Sequence, residues 1–294
     1  AHENSFEAVA REWHSTKTTT WSEGYAKEVL NCLEKDIFPY IGQRPIEQIE
    51  PLELLTVLQK IEKRGALEQT SKIRRRCGEV LRYAVATGRA KYNFAPDLAI
   101  ALSKPKTQHF PFLTESELPA FVKALENYEG SQVTKYATQL LMLTGVRTIE
   151  LRAAEWKEFD LDNALWEIPK ERMKKRRPHL VPLSTQAIDI LKKLQVITGN
   201  YSLVFPGRND ARKPMSEASI NKVIKLLGYH SRLTGHGFRH TMSTILHEYG
   251  FESAWIEMQL AHVDKNSIRG TYNHAQYLEK RRVMLQWYAD KILW

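Results

Sequence analysis

Several side chains in the second half of this 294-residue sequence have the chemistry to break a phosphodiester. Arg147 lies in Thr144-Gly145-Val146-Arg147-Thr148-Ile149-Glu150-Leu151; His236-Gly237-Phe238-Arg239, Leu260-Ala261-His262 and Tyr272 follow in that order. Cleaving such a bond without a metal or water poses three problems: a nucleophile must reach phosphorus in line, charge grows on two non-bridging oxygens, and the leaving oxygen needs a proton. Positioned donors meet the second, usually the largest catalytic term. Arginine forks grip phosphoryl oxygens bidentately, and Arg147 and Arg239 suit that role. Histidines donate to the same oxygens or move a proton near neutral pH. A tyrosine nucleophile would leave the protein covalently joined to its substrate. Chemistry alone does not single it out, because Tyr277 and Tyr288 lie close to Tyr272.

The surroundings of these residues narrow their roles. Arg147 follows a helix-breaking glycine and starts the next helix, where its charge opposes the helix dipole. That unfavourable placement points to function. His236 and Arg239 are three apart, hence on one face of one helix. A metallopeptidase pair of His236 with His240 would need Glu at the second position of that stretch; Gly237 stands there and no further ligand cluster is apparent, so no metal site is expected, and His240 is left outside the site.

The elements that must position these groups are mostly helical. Ser22 caps a helix with Tyr25, Val29, Leu30, Leu33 and Ile37 as its apolar stripe; Pro51 opens a second with Leu54, Leu55, Leu58 and Ile61 inward. A third, from about Gln69 to Thr87, turns Ile73, Cys77, Val80, Leu81 and Ala84 inward. Its other face carries Lys72, Arg74, Arg75, Arg76 and Arg82, a one-signed run that predicts phosphate contact in place of a merely solvated face. Residues 103–112, with two prolines and no periodicity, read as a linker between a helical domain at 1–102 and a second at 113–294. The second opens on the capping box Thr114-Glu115-Ser116-Glu117. An apolar helix over 133–143 breaks at Gly145, and a new one restarts near Thr148. Short strands follow at Phe159-Asp160-Leu161, Leu165–Ile168 and His179–Leu183, with the basic run Lys170–Arg177 at a hairpin tip. Helices resume from Ser184. An aromatic-rich stripe (Met284, Leu285, Trp287, Tyr288, Ile292, Leu293) leaves open whether the last helix packs on its own domain or on a neighbour.

Composition sets outer bounds. The apolar fraction of 43% argues for a folded chain, and the +9 net charge with a pI near 9.4 favours an acidic polymer as partner. Cys32 and Cys77 sit in apolar helical patterns and read as reduced core residues. No apolar run approaches the roughly 18 residues of a membrane span, and no signal peptide is visible. A reducing cytoplasm is the expected location, with no membrane partner. The sequence starts at Ala1 without a methionine and enters a helical pattern almost at once, so an upstream segment is expected to precede it.

The order, spacing and wording of the Arg147, His236–Arg239, His262 and Tyr272 segments resemble the tyrosine recombinase (phage integrase) family, closest to the prophage and genomic-island integrases. The resemblance runs from about residue 113 to the end, and more loosely over the preceding hundred. It implies a helical core-binding (SAM-like) domain and a mostly helical catalytic domain with a small three-stranded antiparallel sheet. It makes Tyr272, in Arg269-Gly270-Thr271-Tyr272-Asn273-His274, the nucleophile, with Tyr277 second. It makes His262 a phosphate donor, although the family more often has glycine before that histidine than Ala261. The family's hairpin lysine, counted back from Val181-Pro182-Leu183, falls on Lys174, with Lys175 beside it; Lys175, Arg176 and Arg177 are then backbone-gripping candidates. The implied activity is site-specific recombination of double-stranded DNA through a 3′-phosphotyrosyl intermediate, without metal or cofactor. The implied partners are attachment-site DNA, further protomers forming a tetramer on DNA but monomeric or weakly associated without it, and accessory DNA-bending or directionality factors. Integrases of this kind often carry a small N-terminal arm-binding module; none is evident here. The rivals are a type IB topoisomerase, which shares the chemistry, and a non-catalytic DNA-binding protein on the same scaffold.

Overall fold

Caps and glycines start and stop most helices of the computed structural model, which describes residues 3–105, 110–173, 177–262 and 277–292. The chain divides into two compact units, Ala1–Gln108 and His109–Trp294.

In the first unit the Ser5 hydroxyl accepts the Ala8 amide at 3.2 Å and opens helix α1 (Phe6–Lys17). Ser22 caps α2 (Glu23–Asp36), which leads through the short α3 (Phe38–Ile41) to α4 (Pro51–Lys63). Pro51 sits in the first turn of α4, where a missing amide costs nothing, and the Glu53 carboxylate accepts the Glu50 amide at 2.9 Å. The long α5 (Leu67–Ala86) ends just before Gly88 at φ 73°. Val29, Leu33, Leu54, Leu58, Ile73, Val80 and Leu81 form the core, and both cysteines are buried free thiols. Tyr25 departs from its stripe: it is an exposed rim residue, with the Arg76 guanidinium stacked 5.1 Å over its ring.

In the second unit the Thr114 amide and hydroxyl both donate to Glu117 at 2.9 Å, and α6 (Leu118–Glu126) follows. Next come α7 (Gln132–Thr144) and α8 (Thr148–Arg152), separated by Gly145. Strands β1 (Phe159–Asp160), β2 (Leu165–Ile168) and β3 (His179–Pro182) form one antiparallel sheet in sequential order, with Trp166 opposite Val181. The Asn163 amide donates to the Asp160 carboxylate at 3.0 Å and closes the first turn. Helices α9 (Thr185–Thr198), α10 (Ser219–Leu226), α11 (Gly237–Glu248), α12 (Ser253–Gln259) and α13 (Leu278–Ile292) complete the described residues. The buried face of α7, with Ala137, Leu140 and Leu141, is central to a core that includes Phe121, Trp166, Leu194 and Phe238. Each fully buried side chain of this kind contributes about 1.5–3 kcal/mol over the exposed state. Helix α13 answers the question its stripe left open: Met284, Leu285, Tyr288, Ala289 and Ile292 are buried in the core of their own unit. Among the described residues no helix is long and apolar enough to cross a membrane.

Candidate active site

Gly145 makes the turn on which the site is built. It ends α7 in the left-handed conformation (φ 62°), and an added Cβ would lie 2.6 Å from Met242 Sδ. Val146 is buried, so the chain re-emerges at Arg147, extended at φ −73° and ψ 147°, as the residue before α8. Glu150 holds it there. One carboxylate oxygen accepts the Arg147 amide at 2.8 Å and the other its Nη1 at 2.7 Å, with Glu150 itself buried. The helix-start charge of Arg147 is thereby compensated, and its guanidinium stays partly open to solvent.

Arg239 enters from the first turn of α11 and is only 4% exposed. Its Nη1 donates to the Gly145 carbonyl at 2.5 Å and its Nη2 to the Leu260 carbonyl at 2.6 Å. Arg147 Nη2 donates to the next carbonyl, Ala261, at 3.1 Å. Two arginines from different helices thus rest on successive carbonyls at the end of α12. Burial, and then the charge of Arg147, bring the Arg239 pKa down to about 10, so it remains cationic at neutral pH.

Ala261 presents those carbonyls because it is left-handed, at φ 48°. Its amide bonds to the Met258 carbonyl at 3.1 Å and the His262 amide to the Glu257 carbonyl at 2.9 Å, the pairing of a Schellman stop, whose left-handed residue is usually glycine. The residue type that departs from the family's habit therefore carries mild backbone strain. His262 emerges exposed, with Nε2 3.1 Å from Arg239 Nη2 and Nδ1 2.8 Å from Glu257. His236, just before α11, is also exposed and packs 4.8 Å from the Phe110 ring and 5.7 Å from His240. Desolvation lowers its pKa, followed by the charges of Arg239, His240, Arg147 and His262. The same charges show how closely these groups are gathered.

The remaining predicted residues fall elsewhere. Tyr272, Lys174, Lys175 and Arg176 lie outside the described residues. Tyr288 is fully buried in the core, which raises its phenol well above the ordinary range and removes it as a nucleophile. Arg177, Lys72, Arg75 and Arg82 are exposed. Arg76 needs correction as a surface cation: it is 8% exposed, with Nη1 3.3 Å from the Tyr25 hydroxyl. Arg74 is half-committed, donating to the Ala95 and Pro96 carbonyls at 3.0 and 3.2 Å. Both follow from the width of the apolar face of α5, which takes in positions 74 and 76 at its margins.

Sequence reasoning missed three supports of the site. Glu257 lies five residues before His262, a spacing that meets only across a Schellman stop. Arg172, just ahead of Lys174, donates to the Glu150 carbonyl at 3.0 Å and pairs closely with buried Glu158, which also accepts from Trp166 Nε1. Gln259, fully buried, donates to the Thr144 carbonyl at 2.7 Å and accepts from Arg281 Nη2 at 2.7 Å, while its own carbonyl bonds to His179 Nε2 at 3.1 Å. One residue, through its side chain and its backbone carbonyl, thereby ties the arginine turn, β3 and α13 together. None of these had a signal in local periodicity.

A mostly helical unit with a three-stranded sheet, gathering two arginines and two histidines onto one loop-lined patch, has the make-up of a tyrosine-recombinase catalytic domain. The family models agree: residues 6–101 match the phage integrase central domain and residues 111–279 match the phage integrase family. The integrase of Shigella phage Sf6 is 49% identical over 291 residues, covering 99% of this chain and 76% of that protein. Prophage integrase IntS of Escherichia coli K12 gives the same figures. In fold, lambda integrase bound as a dimer to a COC′ core site superposes with TM-score 0.69 at 17% identity, covering 93% of each chain. The Tn1549 transposon integrase in complex with circular intermediate DNA reaches 0.72 at 16%, covering 95% of this chain and 98% of that one. The chain belongs to the phage integrase family, the site-specific recombinases that break and rejoin DNA strands.

Proposed function

We propose that this chain integrates or excises a mobile element at double-stranded attachment sites, with Tyr272 as nucleophile. The observation that carries the assignment is the convergence of Arg147, His236, Arg239 and His262, from three separate segments, on one patch of the second unit. The Tyr272 oxygen attacks the scissile phosphorus; a P–O bond to the phenol forms and the P–O5′ bond breaks. Arg147, Arg239 and His262 neutralise the non-bridging oxygens as charge builds on them. His236, held below its ordinary pKa and so neutral near pH 7, accepts the phenolic proton. Lys174 donates a proton to the departing 5′-oxygen. The 3′-phosphotyrosyl bond conserves the energy of the broken linkage, so attack by a 5′-hydroxyl rejoins strands without ATP.

Lys72, Arg75 and Arg82 on α5, and Arg177 with its neighbours Lys175 and Arg176, supply backbone contacts to the duplex. Four protomers on two duplexes complete the exchange, assisted by accessory DNA-bending or directionality factors. Incubation with nicked attachment-site DNA tests the assignment. A covalent adduct should persist on a denaturing gel and map to the peptide containing Tyr272. Retention of DNA without any covalent product would overturn it in favour of a binding protein.

A further inference from the structure

The Schellman stop at the end of α12 sets the side chain of Glu257 beside that of His262, a contact that is ordinarily made by two apolar residues. Here it is a carboxylate against an imidazole, Oε2 to Nδ1 at 2.8 Å. The opposite ring nitrogen faces Arg239 Nη2 at 3.1 Å. A guanidinium has no acceptor, so Nε2 must accept and the ring proton sits on Nδ1, donated to Glu257. Both partners are close to half exposed, at 44% and 48% of their side chains. A contact so open to water contributes little to folding, and stability does not account for it.

Resting on the recombinase assignment above, we propose that Glu257 is a positioning residue of strand cleavage that acts through His262. In the DNA-free arrangement Nε2 offers a lone pair, which repels a phosphoryl oxygen. Before His262 donates to that oxygen, Nε2 takes up a proton from the solvent to which the ring is open. The imidazolium then stands beside Arg239, with Arg147 on the adjoining Ala261 carbonyl and His236 also near. Glu150 is already bonded to Arg147, so Glu257 is the carboxylate that counters the new charge at the ring. The protonated ring no longer accepts from Arg239, whose Nη2 is released toward the same phosphate. Glu257 thereby couples arrival of the phosphate to the switch of His262 from acceptor to donor. It touches no DNA itself.

The test combines single-turnover cleavage of nicked attachment-site DNA with binding of the same duplex and thermal melting of the protein. Glu257→Gln keeps shape and an acceptor but loses the charge. Its cleavage rate should fall roughly 10- to 100-fold, by analogy with the carboxylate partners of metal-bound histidines, with affinity and melting temperature unchanged. Glu257→Asp should recover most of the rate. In a His262→Asn background, Glu257→Gln should have no further effect, because the two then act as one unit. Cleavage by Glu257→Gln at the wild-type rate would overturn the proposal. So would a rate loss repeated in full on top of His262→Asn, or a melting temperature that falls in step with the rate. A wild-type protein that forms no adduct would remove the recombinase assignment instead. The ring-nitrogen NMR spectrum of His262 needs no DNA: it should report the Nδ1–H tautomer in the wild type, with the Nδ1 resonance shifted in Glu257→Ala as its acceptor is lost. A wild-type Nε2–H tautomer would overturn the proposal independently.

Discussion

Arg147 and Arg239 are the same residue type proposed for the same task, yet they stand in different physical situations. Arg147 has a buried acid to hold it and a face open to solvent; Arg239 is sealed, with two backbone carbonyls as acceptors. Arg147→Ala should lower the cleavage rate by orders of magnitude and also cost stability, because the buried Glu150 carboxylate loses its cation. Arg239→Ala should lose cleavage as completely and also unfold more easily. It strands the Gly145 and Leu260 carbonyls, each costing about 1–3 kcal/mol when buried without a donor. Parallel cleavage assays and denaturant titrations of the two variants check this; either variant as stable as the wild type would contradict it. Tyr272→Phe, which removes only the nucleophilic oxygen, should bind attachment-site DNA normally and give no covalent adduct. An undiminished adduct mapping to Tyr277 would move the nucleophile.

At the scale of elements, the site depends on turns that bring helix ends together. Gly145→Ala forces a Cβ against Met242 and Leu260 at a left-handed position. Overpacking and backbone strain together should cost about 2–4 kcal/mol. Cleavage should fall further than stability explains, because the turn carries Arg147 and the carbonyl that anchors Arg239. Cleavage measured well below the variant's own melting point separates the two effects. Strand β3 contributes a pH limit. Burial first, and then the Arg281 charge, lower the pKa of His179 from 6.5 to about 3. The native state holds this histidine neutral while the unfolded state protonates it, so stability is full above pH 6.5 and declines as pH falls toward 3. Urea midpoints measured across that window should drop, and His179→Gln should flatten the drop. A wild-type midpoint constant between pH 7 and pH 4 would contradict it.

At the scale of the whole molecule, the charge excess of +9 acts through the exposed cations. DNA affinity should fall steeply with salt, each phosphate contact contributing about 0.9 to the log–log slope on B-DNA. Neutralising Lys72, Arg75 and Arg82 together should flatten the slope by roughly one to three units. Arg76→Ala should leave the slope unchanged and instead destabilise the first unit, since its guanidinium is engaged with Tyr25 and largely buried. Salt titrations of the two variants by fluorescence anisotropy distinguish these outcomes. A slope unmoved by the triple change would mean that this face of α5 looks into solvent.

The sequence alone determined what is local or chemically typed. Ser22, Pro51 and the Thr114–Glu117 box opened their helices, Gly145 closed its own, and the three short strands paired in chain order. These signals act within a turn or two of chain, where capping, glycine freedom and side-chain period decide the outcome. The order of arginines, histidines and tyrosine likewise pointed to the phage integrase family, which the family models match. Tertiary structure decided what spans distance. Arg147 meets Ala261 across more than a hundred residues, Gln259 joins the ends of α7 and β3 to α13, and Glu257 reaches His262 only because α12 stops on a left-handed alanine. The inward turn of Arg76 belongs with these, against its place in a run of cations. Such pairings depend on which surfaces close-pack against which. A buried polar group must find its partner wherever packing brings one within about 3 Å, and periodicity along the chain carries no record of that.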